Sequence, residues 1–201
     1  MDSTIVVIII GSYLLGSVPF GFLIAKLWKI DIRQHGSGNV GATNVWRTIN
    51  PAAGLLVFAL DLLKGTAPIL LAQQFTSNYW LIILAGIAAV LGHTYSIFLK
   101  FKGGRGSATG LGMLLGIAPD IFVFAFIAVA ILIYTTRYVS VASILTPLGV
   151  TVAFWLLNRP LPYCLLATLV TIIIIMRHIP NIKRLLNGTE RKISFKKRQA
   201  S

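Results

Sequence analysis

Two stretches of the chain, HGSGNVGATNVWRT at 35–48 and KFKGGRGSATG at 100–110, gather glycines, small hydroxyls, amides and cations without a single carboxylate. That composition suits the holding of anions. In the first stretch the successive N–H groups of Gly36, Ser37, Gly38 and Asn39 can form an anion-binding nest, to which Gly41 adds one more. Thr43, Asn44 and Arg47 accompany them. In the second, Lys102 and Arg105 flank Gly103 and Gly104, and an arginine can meet a phosphate in bidentate form. The run KGGRGS lacks the G-x-x-x-x-G-K-[ST] spacing of a nucleotide phosphate loop.

Two further stretches, TTRYVSVAS at 135–143 and RHIPNIKRLLNGTE at 177–190, have the same polar character. Ser140 reads either as a helix N-cap or as a ligand, and Ser143 shares its face. His178 and Asn181 are three residues apart on one helix face, and Pro180 should bend or end that helix, so both can reach a polar substrate. His35, His93 and His178 lack a close metal motif such as H-E-x-x-H, so no metal is expected. His93 reads either as a satisfied buried histidine or as part of the site. Asp61 and Lys64 lie within an apolar block, where charges are functional candidates by position, but their spacing favours mutual neutralisation.

The elements that position these residues follow from composition. Apolar residues make up 56% of the 201-residue chain and charged residues 11%, against about 45–50% and about 25% in soluble domains. The apolar residues come in blocks long enough to cross a hydrocarbon layer of about 30 Å. An all-α polytopic membrane protein is expected, a single integral membrane domain over 1–201. The spans read as Thr4–Trp28, Pro51–Phe75, Tyr79–Leu99, Pro119–Thr136, Val139–Leu157 and Pro162–His178. The first follows Asp2 with no basic segment before it and is too long for a signal sequence, so it reads as a retained span. Trp28, Trp80, Trp155 and Tyr163 lie near span ends and read as interfacial anchors. Cys164 reads as a small buried hydrophobe.

Between the third and fourth spans, Gly106–Ile117 is apolar but too short to cross. Counting it as a seventh, half-height element puts Lys26, Lys29, Arg33, Arg47, Lys100, Lys102, Arg105, Arg137 and the basic tail on one side, with only Arg159 opposite. Lysine and arginine accumulate on the cytoplasmic side, so the N-terminus is expected outside and the 187–201 tail in the cytoplasm. The net charge of +13 is then a topology signal with lipid attraction, and nucleic acid is not an expected partner. The short element must be shielded by protein, and Gly106, Gly110 and Gly112 would let neighbours approach it closely. The four polar stretches converge on the cytoplasmic face, along with the N-termini of the second span, the short element and the span from Val139.

The segments GSGNVGATN, GHTYSIFLKFKGGRGSATG, RYVSVAS and RHIPNIKRLLNGTE, in this order over nearly the whole chain, resemble the bacterial acyl-phosphate:glycerol-3-phosphate acyltransferases. The resemblance implies a seven-helix inner-membrane enzyme that moves a fatty acyl group from acyl phosphate to the first-position hydroxyl of glycerol 3-phosphate. Lysophosphatidic acid and inorganic phosphate would result, as the first acylation of phospholipid synthesis, with no cofactor and with membrane lipid as surroundings. It assigns site roles to Ser37, Asn39, Thr43, Asn44 and Arg47, to Lys102 and Arg105, to Ser140 and Ser143, and to His178, Asn181 and Glu190. The family commonly has lysine at the position of Arg105 and valine at that of Ser107. The proton acceptor is either His178 or a substrate phosphate, and transfer is direct or through an acylated Ser37, direct transfer being favoured. A transporter built on Asp61 and Lys64 is the main rival, but the polar residues crowd one face and do not continue through the membrane. A lipid-binding protein would leave the glycine-rich loops unexplained.

Overall fold

The structure, a computed structural model, describes residues 3–190 and 192. Every regular element among these residues is helical: α1 (Ser3–Ser17), α2 (Phe20–Leu27), α3 (Ala42–Thr48), α4 (Pro51–Phe75), α5 (Tyr79–Thr94), α6 (Ser107–Ile117), α7 (Pro119–Thr136), α8 (Val139–Leu156), α9 (Leu161–Arg177) and α10 (Ile179–Leu186). Five apolar stretches of 18 to 25 residues can cross a membrane, and α9 with α10 makes a sixth, bent by 56°. The chain divides into two compact units, 1–119 and 120–201. Of the basic tail, Arg191 and 193–201 lie outside the described residues, as do Met1 and Asp2.

In the first unit, α4 is the hub, in contact with α1, α2, α3, α5 and α6. The span expected over Thr4–Trp28 is present as one membrane-capable stretch, Ser3–Leu27, with its helix interrupted at Val18–Pro19, because proline has no N–H to donate and disfavours helical backbone in the residue before it. The span over Tyr79–Leu99 has the expected bounds, built from α5 to Thr94 and a 3-10 turn at Ile97–Leu99. The short element is shielded as expected: α6 lies along α4, and Thr66 Oγ1 donates to the Gly112 carbonyl at 2.8 Å. A Cβ on Gly65 would stand 2.0 Å from the Thr109 oxygen, and one on Gly112 would stand 1.9 Å from that of Leu62. Of the glycines expected to permit this approach, Gly112 does so and Gly106 caps the helix at φ 77°, but Gly110 has no neighbour within 4 Å of a Cβ. Gly116 takes part instead, against Ile69.

The second unit holds α7 to α10. Thr171 bridges α9 to α8 through the Pro147 carbonyl at 3.0 Å and the Thr151 hydroxyl at 2.8 Å. Trp155 donates to Thr168 at 3.1 Å. Tyr163 is not an interfacial anchor: it is buried, edge-on to Phe154 with ring centroids 6.5 Å apart. Cys164 is buried beside it, as expected of a small hydrophobe. Arg159 pairs with Asp120. The outward side chains of α7, including Val123, Phe124, Ile127 and Ile131, are exposed and apolar, as a lipid-facing helix requires.

Candidate active site

The first loop is tied down at its start. Asp31 caps the turn at Ile32–Gln34 through the Arg33 N–H and takes two hydrogen bonds from the Arg33 guanidinium, Nε at 2.9 Å and Nη2 at 2.7 Å. Those bonds hold the Asp31 carboxyl well below its usual range, at about 2. The guanidinium also lies over the Phe22 ring at 4.7 Å. The loop then wraps around Asn44, whose Nδ2 faces the carbonyls of Ile32, His35 and Asn39 at 3.2, 3.0 and 2.8 Å. Its Oδ1 accepts from the Ser37 N–H at 2.9 Å.

This geometry corrects the expected nest. The Ser37 N–H is held by Asn44, the Gly38 N–H by the His35 carbonyl and the Gly41 N–H by Asn39 Oδ1, so these donors face their own loop and not an anion. Asn44 is 4% exposed with its amide hydrogens engaged, which makes it the loop's internal frame. Gly36 and Gly38 have positive φ, 60° and 70°, where glycine is the default residue. What the loop presents outward is Ser37, Thr43 and Arg47, all exposed, the last two one turn apart on α3.

The second loop follows the same plan. Gly103 N–H bonds to the Thr94 carbonyl at 3.0 Å and Gly104 N–H to that of His93 at 2.9 Å, so both cap the end of α5 and are not available to phosphate. Each must be glycine for steric reasons, since a Cβ would fall 2.0 Å from the His93 oxygen at Gly103 and 2.1 Å from His93 Nε2 at Gly104. Lys102 and Arg105 remain exposed. Among the described residues neither they nor Arg47 has an acidic partner. Gly106 begins α6 without a side-chain cap, so the first-turn N–H groups keep their positive end free of one. The N-terminus of α4 is different: Asn50 Oδ1 accepts from the Ala53 N–H at 2.8 Å.

In the second unit, His178 sits at the 56° bend, closing α9 and opening α10, with Pro180 in the first turn of α10. Its Nδ1 lies 2.8 Å from the Ile174 carbonyl. A carbonyl can only accept, so Nδ1 carries hydrogen and Nε2 of the neutral ring holds the lone pair. Asn181 Nδ2 donates to Glu190 Oε1 at 2.9 Å, and Arg184 Nε donates to Oε2 at 2.7 Å. Those two bonds bring the Glu190 carboxyl down to about 2, with a smaller effect from the Ser140 hydroxyl. Glu190 is therefore no phosphate ligand: it is anionic, with both oxygens engaged. Ser140 is not the N-cap of α8, since Tyr138 occupies that position. Ser140 is buried and Ser143, a turn further on, half-buried.

Sequence reasoning missed the Asp31–Arg33 clasp and the Arg184–Glu190 pair. The D-x-R spacing was a signal for the first; the second joins residues on either side of the helix-ending Gly188, at φ 67°. Asp61 and Lys64 do neutralise each other, with Lys64 Nζ 2.8 Å from Asp61 Oδ1.

Residues 6–188 match the model of the family described as glycerol-3-phosphate acyltransferase. Relatives of that description include those of Desulforamulus reducens, 44% identical over 96% of this chain and 98% of the relative, and of Bacillus subtilis, 45% identical over 95% and 98%. The crystal structure of PlsY, an integral membrane glycerol 3-phosphate acyltransferase, in its glycerol 3-phosphate form aligns with a TM-score of 0.84 at 41% identity, covering 96% of both chains. A second form of PlsY, with lysophosphatidic acid, gives 0.83 at 40% identity. With matches that run nearly end to end and take in both glycine-rich loops and the His178 bend, the chain belongs to the glycerol-3-phosphate acyltransferase family.

Proposed function

We propose that this acyltransferase takes the acyl group from a fatty acyl phosphate and places it on the first-position hydroxyl of glycerol 3-phosphate, releasing lysophosphatidic acid and inorganic phosphate. The carrying observation is the trio Arg47, Lys102 and Arg105, exposed cations that have no acidic partner among the described residues. Both proposed substrates bear phosphate, which such cations bind with charge-assisted hydrogen bonds. The glycerol 3-phosphate and lysophosphatidic acid forms of PlsY supply the substrate and product pair for comparison.

In this reading Arg47, Lys102, Arg105 and the uncapped α6 N-terminus hold phosphates, while Thr43 and Ser37 turn their hydroxyls to the reacting groups. Ser140, Ser143 and Asn181 orient the glycerol 3-phosphate. Asn44, Gly36, Gly38, Gly41, Gly103, Gly104 and Asn39 shape the two loops, and Glu190 holds Asn181. The glycerol oxygen attacks the acyl carbonyl carbon, the carbon–oxygen bond to phosphate breaks with its electron pair going to the phosphate, and the hydroxyl proton passes to Nε2 of His178. The acyl phosphate is already activated, so no nucleotide, thioester or metal takes part. Transfer is direct, and holding two anchored substrates together supplies much of the rate. The bias of lysine and arginine supports a reading in which the polar stretches face the cytoplasm across a bacterial inner membrane.

Incubation of purified protein with a long-chain acyl phosphate and glycerol 3-phosphate should yield the mono-acylated product, and acyl-CoA as donor should yield none. Product from acyl-CoA alone would refute the donor assignment. In His178→Ala, kcat should fall by about 100-fold or more; a kcat near that of the parent would pass the proton to a substrate phosphate. Ping-pong kinetics with trappable acyl-Ser37 would overturn direct transfer.

A further inference from the structure

Asp61, Lys64 and His93 are 1%, 3% and 6% exposed, and the chemistry above has no use for them. Lys64 Nζ donates to the Val18 carbonyl at 2.8 Å, beside the helix break at Pro19, and the same oxygen accepts from the Phe20 N–H at 3.1 Å. It also faces the Phe20 ring at 5.4 Å. Asp61 Oδ1, which Lys64 contacts, lies 3.6 Å from His93 Nδ1. The opposite edge of that imidazole abuts Gly104, where an added methyl would come within 2.1 Å of Nε2. The backbone carbonyl of the same histidine takes the Gly104 N–H. Ser96, at the start of the second loop, donates from Oγ to the Ser17 carbonyl at 2.5 Å, beside the same break. These side chains close on one another without room for a water.

We propose that His93 is a positioning residue for the Lys102–Arg105 loop. One edge of its ring is set against the Asp61–Lys64 ion pair, and the other is the stop on which Gly104 rests. The ion pair is itself fixed to Val18, at the break that leads through α2 to the first loop. The second loop thus takes its place from one buried charged cluster. The inference rests on the reading that Lys102 and Arg105 hold a substrate phosphate.

The steric fit suggests the test. With full-length enzyme, KM for glycerol 3-phosphate and for acyl phosphate, together with kcat, are measured for Arg105→Ala, His93→Ala, His93→Gln, Gly104→Ala and the double variant Gly104→Ala/His93→Ala. His93→Ala should raise one of the two KM values by about tenfold, the same one that Arg105→Ala raises, with kcat within about threefold of the parent. His93→Gln should recover most of the loss. Gly104→Ala should be impaired alone, and removal of the imidazole should relieve it, because the methyl then has space. A normal KM in folded His93→Ala beside a raised KM in Arg105→Ala would overturn the positioning role and leave the loop assignment standing. Unchanged KM values in Arg105→Ala would remove the loop assignment, and the positioning role with it. Loss of folded protein with normal KM in the surviving His93→Ala enzyme would also overturn the proposal, as would a double variant no better than Gly104→Ala.

Discussion

Asn44 Oδ1 occupies the space that a side chain on Gly36 would need: a Cβ at Gly36 would lie 2.2 Å from it. The first loop is closed around this pair, with one amide side chain serving three carbonyls and one N–H. Gly36→Ala should therefore disturb the loop twice, by the clash and by its positive φ. Asn44→Ala removes the frame outright. Buried hydrogen bonds of this kind are worth about 1–3 kcal/mol when broken, which as kcat/KM is a loss of about 5- to 150-fold. Kinetics alongside limited proteolysis of the loop would check it; wild-type kcat/KM in Asn44→Ala would contradict the frame.

The Arg105 guanidinium is exposed and has no acidic partner among the described residues. If charge is what matters there, Arg105→Lys should hold KM within about threefold, while Arg105→Ala raises it by about 10- to 100-fold, the scale of one charge-assisted hydrogen bond. Higher salt should weaken binding of the phosphate substrates in the parent more than in Arg105→Ala, because screening acts on the charge that the variant lacks. Equal salt dependence in both would argue against a phosphate contact.

Glu190 gives a pH prediction. Its carboxyl is held at about 2 in the fold, against 4.5 when free, by Asn181 and Arg184. A lowered value means that the folded state favours the ionised form. The stabilisation is fully present above about 4.5 and is lost as pH falls from there through about 2. Thermal unfolding in detergent should thus lose stability in that acid window in the parent. Glu190→Gln should be less stable at neutral pH and should lack this component of the acid transition. An unaltered acid transition in Glu190→Gln would place the titrating group elsewhere.

Much of the helical layout was legible because the bilayer imposes lengths. The blocks at Pro51–Phe75 and Pro119–Thr136 are single helices with the expected ends. The short element was legible as one needing cover, since twelve apolar residues cannot span. What composition could not reveal was the direction in which backbone donors point. A glycine-rich run reads equally as an anion nest or as a close approach between chain segments, and at Gly103 and Gly104 the approach won, through the carbonyls at the end of α5. Likewise an asparagine or a glutamate near a phosphate site reads as a ligand until its partners are known. Asn44 and Glu190 bind protein instead. Tyr163 was misread because a position near a span end does not say which way the ring turns.

The glycines of α6 allow that distinction to be tested within one helix. Gly112 and Gly110 lie two residues apart, so they face different directions on an element of 3.6 residues per turn. A Cβ at Gly112 would stand 1.9 Å from the Leu62 carbonyl oxygen, a backbone atom of α4 that cannot rotate away, whereas one at Gly110 meets nothing within 4 Å. Gly112→Ala must push α6 from α4 and stretch the 2.8 Å bond from Thr66 to the Gly112 carbonyl, and overpacking of this kind costs about 1–3 kcal/mol. Gly110→Ala should instead gain about 0.5–1 kcal/mol, because alanine loses less backbone entropy in a helix. Thermal unfolding midpoints in one detergent should move in opposite directions for the two variants. Because α6 begins at Gly106, directly after Arg105, the displacement in Gly112→Ala should also raise a substrate KM, while Gly110→Ala should leave both KM values at those of the parent. Equal destabilisation by the two substitutions would mean that α6 does not present Gly112 to α4.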